Sequence, residues 1–155
     1  MTRTAHTAAV TGIAATGLAL AWWWHARERP ALGYSKGLPI PIKVVLIDGK
    51  PVEVETARAY KAMRDAAASA GVRIIVVSGF RTMEEQEYLY QCFKSGDCNN
   101  GNLAAKPGHS NHQSGRALDL NARDPLVGPW LRAHAGEFKF KNTVASEPWH
   151  WEYRP

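Results

Sequence analysis

The sequence predicts an α+β domain in which helices pack against a small, mainly antiparallel sheet. Segments of helical and of strand period are interspersed along the chain without a regular strand–helix–strand repeat, and no internal repeat is visible. The length of 155 residues suits one compact domain, and 45% hydrophobic with 21% charged residues is an ordinary globular balance.

The elements follow in order. Gly33 to Pro41 is rich in Pro and Gly and reads as a linker onto the domain. Lys43 to Ile47 is a short strand, and Asp48-Gly49 is a turn signal that leads into Val52–Val54 as the second arm of a hairpin. From Thr56 to Ala70 the apolar residues Ala57, Tyr60, Met63, Ala67 and Ala70 recur every three or four positions. This spacing predicts a helix stopped by Gly71. Val72 to Val77 is a nearly continuous β-branched run and reads as a buried strand. Thr82 and Glu85 have the spacing of a capping box and open a second helix to about Lys94, with Tyr88, Leu89, Cys92 and Phe93 as its apolar side. Asp97 to Ser110 is a loop, Arg116 to Asn121 a strand, Pro125 to Ala135 contains a short helix, and Phe138 to Tyr153 supplies one or two final strands.

The formal charge is +5, from 19 basic and 14 acidic residues scattered between Arg3 and Arg154. Basic residues form no long run and do not interleave with aromatics, which argues against nucleic acid as a partner. A mild attraction to an anionic polymer such as a cell wall is compatible with this balance.

Residues 1–30 read as an N-terminal segment and 31–155 as the folded domain. Ala5 to Ala26 contains no Asp, Glu, Lys or Arg, and its roughly 22 residues suffice to cross a bilayer core, with Trp22, Trp23 and Trp24 at the interface. An uncleaved transmembrane anchor fits best. Ala19-Leu20-Ala21 also offers the cleavage site of a secretory signal, although cleavage there leaves three tryptophans at the new N-terminus. The Ala-, Thr- and Gly-rich composition resembles that of phage lysins whose signal-anchor segments leave the membrane. Each alternative implies export. Cys92 and Cys98 bracket a loop-like Phe-Lys-Ser-Gly-Asp, and a disulfide there would suit an oxidising compartment; the alternative is two free thiols.

Three segments concentrate polar residues that a bland fold would not need: Ser78 to Arg81, Ser110 to Asp119, and Glu147 to His150. Two histidines and an aspartate in the last two segments could supply three ligands and leave a fourth tetrahedral position open, the arrangement of catalytic rather than structural zinc. A glutamate three residues before a ligand histidine is placed to act as a general base.

These segments resemble the signature of the VanY-type D-alanyl-D-alanine carboxypeptidases, within the wider group of lysostaphin-like and hedgehog-like zinc domains. The family's S-x-H-x-x-G-x-A-x-D stands as Ser110, His112, Gly115, Ala117 and Asp119; its E-x-W-H as Glu147, Trp149 and His150; its S-G-[FY]-R as Ser78 to Arg81, with Gln86 on the following helix. The resemblance runs from about Pro39 to Tyr153. It implies one Zn2+ held by His112, Asp119 and His150, with Glu147 taking a proton from the attacking water and passing it to the leaving amine. It further implies that Arg81 holds the carbonyl oxygen or the developing oxyanion, and that Gln86 and Ser110 hold the terminal carboxylate of the substrate. The implied partner is a peptidoglycan stem peptide, met outside the cytoplasm by an exported, membrane-anchored monomer. The implied reaction is removal of the terminal D-Ala. Two alternatives stay open: a phage-type endolysin cutting the L-alanyl-D-glutamate bond, and a non-catalytic zinc-stabilised wall-binding module. The joint presence of Glu147, Arg81 and all three ligands weighs against the module.

Overall fold

Gly33 to Pro41, expected as a linker, is instead the turn end of a hairpin. The computed structural model describes residues 27–155, so the expected anchor or signal at Ala5–Ala26 lies outside the described residues. Among the described residues no helix is long and apolar enough to cross a membrane. Strand β1 (Arg29–Ser35) turns through Lys36 and Gly37, both at positive φ, into β2 (Leu38–Ile47). Two successive residues at positive φ match the right-handed twist of the flanking strands. Pro39 and Pro41 did not suggest a strand, because proline cannot donate to a ladder. They are tolerated because β3 (Lys50–Glu53) pairs only with Val44–Ile47. The proline half of β2 therefore has β1 on one side and an open edge on the other. The expected turn at Asp48-Gly49 joins β2 to β3, again with both residues at positive φ.

Helix α1 (Val54–Ser69) buries Thr56, Ala57, Tyr60, Met63 and Ala67, close to the expected stripe, while Ala70 is its exposed cap. The Glu53 carboxylate accepts from the backbone N–H groups of Glu55 and Thr56 at 3.0 and 2.9 Å and satisfies donors that have no partner inside the helix. At the other end Gly71 adopts a left-handed conformation. Its N–H bonds to Ala68 and that of Val72 to Ala67, both at 2.9 Å, which seals the last carbonyls.

A second sheet has the order β4–β5–β7–β6, every pairing antiparallel, from β4 (Val76–Ser78), β5 (Ala117–Leu120), β6 (Phe140–Asn142) and β7 (His150–Tyr153). The single sheet expected from sequence is thus two. Of the β-branched run only Val76 and Val77 lie in a strand, β4. Upstream, side chains take over the role of a neighbouring strand: the N–H of Ile75 donates to Asn121 Oδ1 at 2.8 Å and that of Val76 to Asp48 Oδ2 at 2.9 Å. Val72, Ile74 and Val76 are buried, whereas Val77 is exposed.

Helix α2 (Met83–Ser95) opens on the expected capping box, with Thr82 and Glu85 bonded reciprocally. Its apolar side departs from expectation. Gln86 and Cys92 are buried, while Tyr88 is 64% and Phe93 38% exposed, because α2 lies over a cleft rather than on the core. The Cys92–Cys98 disulfide is present and ties the end of α2 to a 3-10 turn at Asn99–Gly101. Helix α3 (Val127–His134) and a 3-10 turn at Ala135–Phe138 complete the element order. One core unites Val52, Tyr60 and Met63 with Leu118, Leu120 and Trp151 from the inner face of the second sheet and with Leu131 from α3.

Gly115, at φ +77°, lies where a Cβ would stand 2.4 Å from Cβ of Glu53, the residue that caps α1. Gly115→Ala combines a strained backbone with displacement of that cap. It is expected to lower stability by about 2–4 kcal/mol in urea unfolding at unchanged slope.

Candidate active site

The β5–β7 ladder sets Asp119 directly opposite His150 and Ala117 opposite Glu152. Strand side chains alternate, so these four share one face of the sheet while Leu118, Leu120 and Trp151 fill the core behind it. His112 comes from a tight turn between Ser110 and Gly115. The N–H groups of Gln113 and Ser114 bond to the Ser110 carbonyl and that of Gly115 to the His112 carbonyl. The β1–β2 hairpin supports this turn from outside: the N–H of Tyr34 donates to the Gln113 carbonyl and that of Gly37 to the Gly108 carbonyl, both at 2.9 Å.

These elements bring His112 Nε2, His150 Nδ1 and Asp119 Oδ1 into a triangle with sides of 3.2, 3.3 and 3.3 Å. The far side of each ring decides which nitrogen carries the proton. His112 Nδ1 lies 2.8 Å from the Gly79 carbonyl, an acceptor only, so it donates there and leaves a lone pair on Nε2. His150 Nε2 faces Glu152 Oε1 at 3.4 Å, so its lone pair is on Nδ1. Two lone pairs and a carboxylate oxygen therefore converge among residues that are 2–9% exposed. Such groups repel one another unless a cation lies between them. Ligands about 2.0–2.1 Å from a tetrahedral zinc stand roughly 3.3–3.4 Å apart, which is the spacing found. The donor set fits a metal in both geometry and chemistry.

The charges agree. Burial keeps the His112 imidazole below its ordinary pKa and hence neutral, as a ligand must be. For Asp119, burial acts upward, but the two imidazoles beside Oδ1 and the nearby Arg81 charge hold the carboxyl well below the usual range. For His150, burial acts downward and is outweighed by the Asp119 and Glu152 carboxylates, which raise it.

A cleft of about 300 Å3 opens beside the triangle, lined by Arg81, Gln86, Ser110, Glu147 and Trp149 among others. Glu147 stands at its edge on a turn that Asn142 clamps. The Asn142 amide donates to the carbonyls of Glu147 and His150, both at 2.8 Å. Among the described residues none donates a hydrogen bond to the Glu147 carboxylate. Burial and the Asp119 charge hold its pKa above the ordinary value, against the pull of His150 and Arg81.

Arg81, expected to hold substrate oxygen, pairs with the outer oxygen of Asp119, Nη2 to Oδ2 at 2.9 Å, and so also steers that carboxylate. The Ser110 hydroxyl accepts the N–H of His112 at 3.3 Å, which leaves its own O–H to donate. Gln86 is fully buried. One N–H donates to the Ala105 carbonyl at 2.8 Å, which anchors the cleft wall, while Oε1 has no partner. The disulfide restrains the same wall, since Asn99 and Asn102 to Ala105 line the cleft just beyond Cys98. Sequence reasoning missed Asn142 and Glu152. The second had a signal, because two residues beyond His150 on a strand is the same face.

The sequence model of the VanY family, D-alanyl-D-alanine carboxypeptidase, matches residues 49–155. The D-alanyl-D-alanine carboxypeptidase of Enterococcus faecalis is 30% identical over 135 residues, covering 70% of this chain and 50% of the relative. The peptidoglycan L-alanyl-D-glutamate endopeptidase CwlK of Bacillus subtilis is 35% identical over 99 residues, 63% of this chain and 50% of the relative. The chain thus spans about half the length of the curated relatives it matches. Two solved structures are each 27% identical and cover 77% of the chain. A vancomycin-resistance D,D-pentapeptidase VanY in complex with Zn(II) has a TM-score of 0.61 over 85% of its length, and VanYB in complex with D-alanine-D-alanine has 0.62 over 83%. With the matched segment carrying Arg81, His112, Asp119, Glu147 and His150 in one cleft, the chain belongs to the VanY family of D-alanyl-D-alanine carboxypeptidases.

Proposed function

We propose that this protein is a zinc metallopeptidase that removes the terminal D-Ala from peptidoglycan stem peptides. The observation that carries the reading is the triangle of His112 Nε2, His150 Nδ1 and Asp119 Oδ1, open on one side to a cleft where Glu147 stands. The zinc-bound and D-alanine-D-alanine-bound relatives support it.

Zinc in the triangle supplies Lewis acidity at its open position. This chain's own residues do the rest. Glu147, without a hydrogen-bond donor from the described residues, takes the proton of the attacking water and returns it to the leaving amine. Arg81 holds Asp119 and places positive charge where the carbonyl oxygen becomes an oxyanion. The Ser110 hydroxyl and the remaining N–H of Gln86 donate to the substrate's terminal carboxylate. The reaction takes place outside the cytoplasm, where peptidoglycan lies and a Cys92–Cys98 disulfide persists. Ala5–Ala26 holds the enzyme at the membrane. A second reading, cleavage between L-Ala and D-Glu, is favoured by the similarity to CwlK.

Mass spectrometry of digested muropeptides separates the two. Loss of one D-Ala from an otherwise intact stem is expected, whereas cleavage beside the sugar-linked L-Ala would establish the second reading. Glu147→Gln should retain zinc and lower kcat by about 10²–10⁴-fold, since it removes the base and spares the ligands. The active form of Glu147 is the carboxylate, so kcat/KM should fall on the acid side as Glu147 is protonated, and that limb should vanish in Glu147→Gln. Chelation should abolish hydrolysis and added zinc restore it; persistence in the metal-free protein would sink the reading.

A further inference from the structure

Glu152 is a carboxylate at 7% exposure on the same face of β7 as His150. It fits there because its cross-strand partner is Ala117, whose methyl group leaves the space open. Its Oε1 accepts from the Thr143 hydroxyl at 2.6 Å and the Asn111 amide at 2.8 Å, and faces His150 Nε2 at 3.4 Å. Its Oε2 meets Arg154 Nη2 at 3.2 Å. These contacts reach the β6–β7 connection, the residue beside His112, the candidate ligand itself and the chain end.

We propose that Glu152 is the positioning residue of the metal site. It accepts a hydrogen bond from the Nε2–H of His150, fixes the ring plane, and thereby leaves the Nδ1 lone pair aimed at the space between His112 Nε2 and Asp119 Oδ1. The proposal rests on the reading of His112, Asp119 and His150 as metal ligands. Glu152 lines the far part of the cleft and is no member of the inner triangle; it acts through His150. A ligating imidazole whose far N–H has no acceptor can rotate or exchange tautomers, and loss of such a partner typically weakens metal binding 10–100-fold. Thr143 and Asn111 hold the carboxylate in turn, which links the turn carrying His112 to the strand carrying His150.

The test is zinc affinity, measured by competition with a chromophoric chelator on the full chain. Glu152→Ala should bind zinc about 10–100-fold more weakly than wild type. Glu152→Gln, which keeps an acceptor oxygen but no charge, should fall between the two. Arg154→Ala, which removes a partner from the far oxygen only, should bind as wild type does. NMR of the zinc-loaded protein gives a readout that a space-filling role would not move. The His150 Nε2 proton resonance should be present in wild type and lost to exchange in Glu152→Ala, while the His112 Nδ1 proton, bonded to Gly79, persists as an internal reference. If Glu152→Ala fails to fold, the comparison of Glu152→Gln with wild type decides by the same two measurements. Affinity within twofold of wild type with an unchanged His150 resonance overturns the proposal. His150→Ala separates this failure from failure of the metal reading. If it too binds zinc as wild type does, the ligand assignment falls; if it alone loses zinc, only the role of Glu152 does.

Discussion

Asp119 and His150 face each other across the β5–β7 ladder, and the rest of the molecule is arranged around that register. Side chains on a strand alternate with a period of two, so a slip of one residue would turn Leu118 and Trp151 into the cleft and two polar groups into the core. The apolar face of the same strands prevents this, because Leu118, Leu120 and Trp151 are buried against Tyr60, Met63 and Leu131. Core packing thus fixes which two candidate ligands face each other across the ladder. The third, His112, is brought to them by a turn whose shape depends on Gly115 and whose outer side rests on the β1–β2 hairpin.

Placing this many polar groups out of water is costly unless each has a partner. The structure supplies them in a chain: Gly79 to His112, Arg81 to the outer oxygen of Asp119, and Glu152 to His150. At the convergence of the three inner atoms there is no such partner, only lone pairs and negative charge facing one another. A domain under selection for stability alone has no reason to build that arrangement. Glu147 differs in having its backbone clamped by Asn142 while its carboxylate is left without a donor among the described residues.

Much of the fold was legible where local chemistry decides. The capping box at Thr82 and Glu85, the Gly71 stop and the Asp48-Gly49 turn each satisfy backbone groups within a few residues, and each formed as expected. Where the deciding partner is distant, the reading failed. Pro39 and Pro41 disguised a strand, because whether proline is tolerated depends on which edge is paired. Val72–Ile75 formed no ladder, since the Asn121 side chain arrives from elsewhere to take the Ile75 N–H and to donate to the Arg73 carbonyl. Tyr88 and Phe93 are exposed because α2 covers a cleft rather than the core.

The sequence by itself pointed to the chemistry: two histidines and an aspartate in two short segments suggested a ligand set, and the resemblance of those motifs to the VanY family singled out His112, Asp119, His150 and Glu147. Tertiary structure alone decided which nitrogen of His112 faces inward, that Arg81 reaches its partner Asp119, and that Asn111 holds the carboxylate of Glu152. Those facts depend on contacts between residues 33 to 38 positions apart, and on a carboxylate whose partners lie up to 41 positions away. No local rule encodes a distance across a folded sheet.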